Sequence, residues 1–176
     1  MTEARQKLQI LDQRIAARVE EIRATRDWWP CRRGCDRCCR QLARPPELSA
    51  CEWLRIDEAV AELPPRLRAE VQQRIDALLT KIAANSLDAP VVCPYLDENE
   101  GACLIYESRP IACHTYGFFV ARAGDDYCQL VEAEVASRGD RELVWGNAEA
   151  IRAQMQLIDR TLISFEAHYR QEIDSD

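Results

Sequence analysis

Nowhere in its 176 residues does this chain approach the ~20 apolar residues in a row that a membrane-spanning helix requires. Behind the opening Met-Thr-Glu-Ala-Arg-Gln-Lys there is no apolar signal core. The chain has no glycine-rich phosphate loop, no nucleophile elbow and no zinc-protease helix. No repeat or low-complexity tract is visible. Positive charge is not in excess either. The formal net charge is −7, which argues against wrapping nucleic acid or anionic membrane through bulk electrostatics. Lysine is scarce, with Lys7 and Lys81 against 21 arginines, and no functional conclusion follows from that ratio. Histidine is equally scarce. With only His114 and His168, any bound metal would be held wholly or mostly by sulfur. These absences lead to the expectation of a cytoplasmic protein, with neither nucleic acid nor membrane as a partner.

Cysteine is what the chain has in plenty. There are nine, and Cys31, Cys35, Cys38 and Cys39 fall within nine residues of one another. Cys93, Cys103 and Cys113 follow at ten-residue intervals. In a cytoplasmic chain, clustered thiols bind metal or do redox work more often than they form disulfides, and the odd count fits a disulfide framework poorly. Thiolates are soft, charged ligands for zinc and for iron–sulfur centres. Cys35 and Cys38 form a C-x-x-C pair, a spacing that lets two sulfurs face one metal from a tight turn. Gly34 supplies a residue able to take φ > 0 just before that pair. Cys38 and Cys39 are adjacent, so one is expected to ligate while the other packs or serves a second metal. Arg32, Arg33, Arg37, Arg40 and Arg44 surround the group. They could offset the charge of a thiolate centre, lower the pKa of a free thiol, bind a carboxylate or phosphate, or form a plain solvated face.

Around these segments the pattern is mainly helical. A length of 176 residues, 47% hydrophobic and 30% charged, fits one soluble domain over residues 1–176. Leu8, Leu11, Ile15, Val19 and Ile22 predict an amphipathic helix over about 3–26, within an N-terminal segment 1–27. Trp28-Trp29-Pro30 ends it, the tryptophans being expected to screen the cysteine loop from water. Ser49-x-x-Glu52 reads as a capping box for a helix to about Leu63, with Cys51 a buried packing residue in its first turn. Pro64-Pro65 starts a further helix to about Ala84, antiparallel to the last. Asp97–Gly101 reads as the solvated tip of a short hairpin, not a calcium loop. Phe118–Arg122 and Tyr127–Val131 read as a second hairpin around Gly124-Asp125-Asp126, with Cys128 in the core. Arg138-Gly139-Asp140 reads as exposed loop. Ile151, Met155, Ile158, Leu162, Phe165 and Tyr169 predict one long helix over 145–171, packed on the first helix and the middle pair, with His168 exposed. The fold expected is a small helical bundle with short β hairpins and an irregular cysteine-rich metal-binding region over 28–130.

Cys31-x-x-Gly34-Cys35-x-x-Cys38-Cys39, then Cys93-Pro94, then Cys103-x-Ile105-Tyr106-x-x-Arg109-Pro110-x-x-Cys113 resembles the YkgJ-like cysteine-cluster family over roughly residues 28–130. That family is described as zinc- or iron-chelating and is related to a domain of flagellin lysine methylases. The resemblance implies Cys35, Cys38, Cys39, Cys93, Cys103 and Cys113 as metal-binding residues, with Cys31 and His114 as further candidates. Arginine often follows the family's last cysteine, where this chain has His114, a residue placed either to ligate or to hydrogen-bond beside the metal.

The function expected is therefore metal binding through clustered thiolates, with zinc or a [4Fe–4S] cluster as the cofactor. Alternatives are an accessory or catalytic part in protein modification or redox chemistry using that centre, with a protein partner, and a metal-free dithiol switch. No residue is assigned a catalytic role.

Overall fold

The computed structural model describes residues 2–87, 90–121 and 128–173. Among these, helix α1 spans Glu3–Ala24, α2 Ala50–Ala61, α3 Pro65–Ala83, α4 Ile111–Thr115, α5 Gln129–Arg138, α6 Ala148–Ile158 and α7 Phe165–Ile173. The strands are short: β1 Glu47–Ser49, β2 Leu96–Asp97, β3 Ala102–Cys103, β4 Phe119–Val120, β5 Gly146–Asn147 and β6 Leu162–Ser164. They associate only in pairs, β1 with β6, β2 with β3 and β4 with β5. The protein is mainly α. It falls into two compact units, Met1–Arg32 with Pro110–Arg160, and Arg33–Arg109 with Thr161–Asp176.

The first unit is built on α1. Thr2 caps it, its hydroxyl accepting from the Arg5 N–H at 3.4 Å. Leu8, Leu11, Ile15, Val19 and Ile22 recur at three- and four-residue spacing and are all buried. Each such side chain contributes roughly 1.5–3 kcal/mol relative to an exposed one. Helices α4 and α6 pack against α1. Trp29 is buried, its ring stacked on Phe118 at 5.6 Å and tilted against Trp145 at 5.7 Å. Both tryptophans of the Trp28-Trp29 pair thus belong to an aromatic cluster of this unit, with the Arg138 guanidinium over Trp28 at 4.7 Å. Strands β4 and β5 pair in parallel, Phe119 opposite Gly146. A Cβ on Gly146 would lie 2.3 Å from the Phe119 ring, so only glycine lets the two backbones approach.

Two sequence-based expectations fail in this unit. Residues 129–131 are not a hairpin arm but the first turn of α5, and β4 pairs with β5 instead. The expected turn, Gly124-Asp125-Asp126, lies outside the described residues. Cys128 is buried, as a core residue should be. Helix α5 ends at Gly139, whose φ of 61° is the left-handed cap glycine adopts readily. Asp140 beyond it is not an exposed loop residue. It pairs with Arg26, both side chains being at most 16% exposed.

The second unit centres on Leu48, Trp53, Ile56, Val71, Ile75, Leu78, Leu79, Val91, Tyr95, Ile105, Phe165 and Tyr169. Helix α2 starts at the expected capping box, where the Ser49 N–H donates to Glu52 Oε2 at 3.1 Å. Helix α3 starts at Pro65. Strands β1 and β6 pair antiparallel, Glu47 opposite Ser164. The Trp53 indole N–H donates to the Ile163 carbonyl at 2.9 Å, tying α2 to β6.

The long C-terminal helix of the sequence reading is two helices. Its apolar stripe continues through Leu162, but Leu162–Ser164 is spent on pairing with β1, and the Ser164 hydroxyl caps α7 by accepting from the Ala167 N–H at 3.1 Å. The halves serve different cores, α6 packing on α1 and α7 on α3. His168 is not exposed: its ring stacks on Trp53 at 4.3 Å and its Nε2 lies 3.0 Å from Asp57 Oδ1.

Candidate metal centre

The first cysteine group lies in irregular backbone of successive turns. Gly34 sits at φ 91°, the positive value its position calls for, with nothing where a Cβ would be. The Arg40 N–H donates to the Asp36 carbonyl at 2.9 Å and the Gln41 N–H to the Cys38 carbonyl at 3.1 Å, closing tight turns around Cys38 and Cys39. Leu42 and Val91 then exchange backbone hydrogen bonds at 3.0 and 2.8 Å. One step back, the Cys93 N–H donates to the Cys39 carbonyl at 2.7 Å. Segments some fifty residues apart in sequence are thus zipped together at the cysteines themselves.

The next cysteine arrives through a hairpin. Strands β2 and β3 set Cys103 opposite Leu96, just after the turn at Cys93. The tip is a local turn, as expected: Asp97 Oδ1 accepts from the N–H groups of Asn99 and Glu100 at 3.0 and 3.2 Å. A carboxylate spent on its own backbone is the solvated turn, not a calcium ligand.

Within the second unit, then, Cys38, Cys39, Cys93 and Cys103 come together. The Cys38 thiol hydrogen-bonds to Cys39, and Cys39 also to Cys93. Cys39 feels the charge of Cys103, and Cys103 feels that of Cys38. Cys38 and Cys39, adjacent in sequence, lie close enough for their thiols to hydrogen-bond. The turn at 36–41 brings both sulfurs to one place.

Cys38, Cys39 and Cys103 are held neutral. The hydrogen bond to Cys39, then burial, raises the Cys38 thiol far above its ordinary value. Cys39 is drawn down by the bond from Cys38 but driven up by Cys93, by burial and by the charge of Cys103, ending at about 12. Burial raises Cys103, although Arg109 and Arg33 pull the other way. The arginines therefore do not leave a reactive thiolate here, as the sequence allowed. At Cys103 burial outweighs the pull of the two guanidiniums, while at Cys38 and Cys39 burial and neighbouring thiols oppose ionisation.

Of the remaining candidates, Cys35 is half-buried in the second unit. Cys31, Cys113 and His114 belong to the first. Cys31 donates weakly to the Tyr116 carbonyl at 3.6 Å, and its backbone carbonyl accepts from Arg23 at 2.8 Å. Gly117, at φ 85°, passes so close that a Cβ would meet the Cys31 sulfur at 3.2 Å. Cys113 is exposed on α4, with half-buried His114 beside it. Cys51 is only half-buried, not fully as expected, with its sulfur 3.3 Å from the Ser49 hydroxyl. The arginines also divide. Arg40 is committed to Asp36 and Glu98, whereas Arg33 and Arg109 lie over the Tyr106 ring, with their charge reaching Cys103. In the sequence Arg109 is marked only by the Arg109-Pro110 step of the motif.

Residues 30–131 match the model of the CxxCxxCC family, described as "Putative zinc- or iron-chelating domain". The chain belongs to this family. No curated protein and no solved structure matches it. Metal chelation in general, zinc or iron, is what membership carries. The donor set fits such an ion chemically, since thiols that cannot ionise beside one another can do so when a cation replaces their protons. Among the described residues, no three cysteine, histidine, aspartate or glutamate side chains stand around one point as ligands would. No helix among them is long and apolar enough to cross a membrane.

Proposed function

We propose that the chain holds a single zinc-type ion through Cys38, Cys39, Cys93 and Cys103. Cys35, in the same unit, is then a candidate for a further ligand or a neighbouring role. The observation that carries this is the run of thiol contacts from Cys38 to Cys39 to Cys93, with Cys103 near enough to exchange charge effects with Cys38 and Cys39, drawn from three separated segments of one unit. Around tetrahedral zinc, with Zn–S of about 2.3 Å, sulfurs stand about 3.8 Å apart, comparable to thiols in hydrogen-bonding contact. A four-iron cluster interposes its own core and holds its cysteines further apart. The hydrogen-bonded thiols are the protonated form of the site, and the ion draws them into a ligand shell as it displaces their protons.

The role that follows is that of a centre joining irregular segments that have little apolar surface of their own. It need not carry out a reaction. The test is protein purified without oxygen, followed by metal analysis and an absorption spectrum. Colourless protein with about one zinc per chain is expected. Brown protein with broad visible absorption would replace this reading with an iron–sulfur centre, and protein carrying neither metal would end it.

A further inference from the structure

The Tyr106 ring carries two cations. The Arg109 guanidinium carbon lies 3.6 Å from its centroid and that of Arg33 5.4 Å. The two like charges are therefore no more than about 9 Å apart, a separation at which they repel. Among the described residues neither pairs with a carboxylate, in a chain whose net charge is −7. Arg40, a few residues away in sequence, shows the ordinary alternative, being taken up by Asp36 and Glu98.

Arg109 is also held in place. Its Nε donates to the Tyr106 carbonyl at 2.8 Å, and its own carbonyl accepts from Arg55 Nη2 at 2.5 Å. Arg33 is exposed, its guanidinium resting on the ring. One guanidinium is fixed, the other is free to close, and an aromatic face orients both.

We infer that Arg33 and Arg109, ordered on Tyr106, form a binding site for a small oxyanion, a carboxylate or phosphate group, beside Cys103. An oxyanion held by both guanidiniums, with N–H···O⁻ bonds of about 2.8 Å to each, fits within that upper bound and cancels the repulsion. The inference rests on the arginine geometry and does not require a metal to be present. The competing explanation is that the two arginines only balance the charge of a thiolate centre.

The experiment is calorimetric titration of the full chain at low ionic strength, with inorganic phosphate in one arm and malonate in the other. Metal content is measured on the same samples. Saturable binding of at least one anion is expected. Arg33→Gln and Arg109→Gln should each weaken it by tenfold or more, and Arg37→Gln, an exposed arginine of the same segment, by less than twofold. Because Arg109 also braces its turn, Arg33→Gln is the decisive variant. The arm that saturates more tightly identifies the oxyanion. Absence of saturable binding in both arms would overturn the inference, as would equal weakening in Arg37→Gln. So would variants that lose metal while the parent binds neither anion, since the arginines would then be counter-charges alone. Anion binding in metal-free protein would leave this site standing and count against the metal reading only.

Discussion

Replacing Cys39 with serine tests the centre at its most connected member. Cys39 hydrogen-bonds to Cys38 and Cys93, feels Cys103, and through its carbonyl holds the Cys93 backbone. Serine keeps that carbonyl and nearly the same volume, so in metal-free protein the change should cost only about 1 kcal/mol. With metal the cost is larger. An ion that binds only the folded chain, at a free concentration a thousandfold above its dissociation constant, stabilises by about 4 kcal/mol. A hydroxyl that stays protonated cannot replace a thiolate, so Cys39→Ser forfeits most of this. For a chain of this length the loss corresponds to roughly 8–16 °C in Tm. The assay is thermal unfolding of the parent and of Cys39→Ser, each with zinc and with chelator, alongside Cys51→Ser. Cys51 lies in the first turn of α2 against the Ser49 hydroxyl, so its replacement should cost the same in both conditions. Equal destabilisation by Cys39→Ser with and without metal would refute the reasoning, as would loss of the zinc effect in Cys51→Ser.

Gly146→Ala should destabilise by about 1–3 kcal/mol through its clash with the Phe119 ring while leaving metal content unchanged, measured by thermal unfolding and metal analysis. The hydrogen bond from Arg26 holds the Asp140 carboxyl below its ordinary value of 3.8, so its contribution is present above that value and lost as pH falls through the folded-state value. Asp140→Asn should accordingly lower stability at neutral pH and flatten its fall in acid, followed by denaturant midpoints across the acid range. Metal uptake at pH 7 should release protons from at least Cys38, Cys39 and Cys103, all held neutral without it; no pH change on adding zinc to weakly buffered protein would count against those ligands.

What the sequence made legible is what neighbouring residues decide. Helices α1, α2 and α3 carry their own signals in Thr2, in the Ser49–Glu52 box and in Pro65, and their apolar stripes fill uninterrupted turns. The failures share one cause. The stripe from Ile151 to Tyr169 keeps helical spacing throughout, yet β1, more than a hundred residues earlier, claims Leu162–Ser164 as a strand partner. The run Thr161-Leu162-Ile163-Ser164, with two β-branched residues and a capping serine, was the one local hint of that break. In the same way Phe119 pairs with Gly146 and not with residues 129–131, because only a glycine lets that ring lie against the neighbouring strand.

The candidate site divides along the same line. C-x-x-C spacing and a glycine free to adopt positive φ are local, so the first cysteine turn could be read directly. That Cys39 takes Cys93 as a backbone partner could not, since nothing near either residue encodes the other. Side chains of neighbouring residues diverge in a strand, but Cys38 and Cys39 sit in a turn, and there the thiols meet. The Leu42–Val91 bridge and the β2–β3 hairpin bring the cysteine segments near one another, and those few hydrogen bonds are a small reward for ordering so much irregular chain. Thiols that raise one another's pKa add nothing until a cation arrives. On the reading proposed above, a metal is what would make the arrangement of Cys38, Cys39, Cys93 and Cys103 favourable, and an uncharged serine at any one of the four would remove that reason.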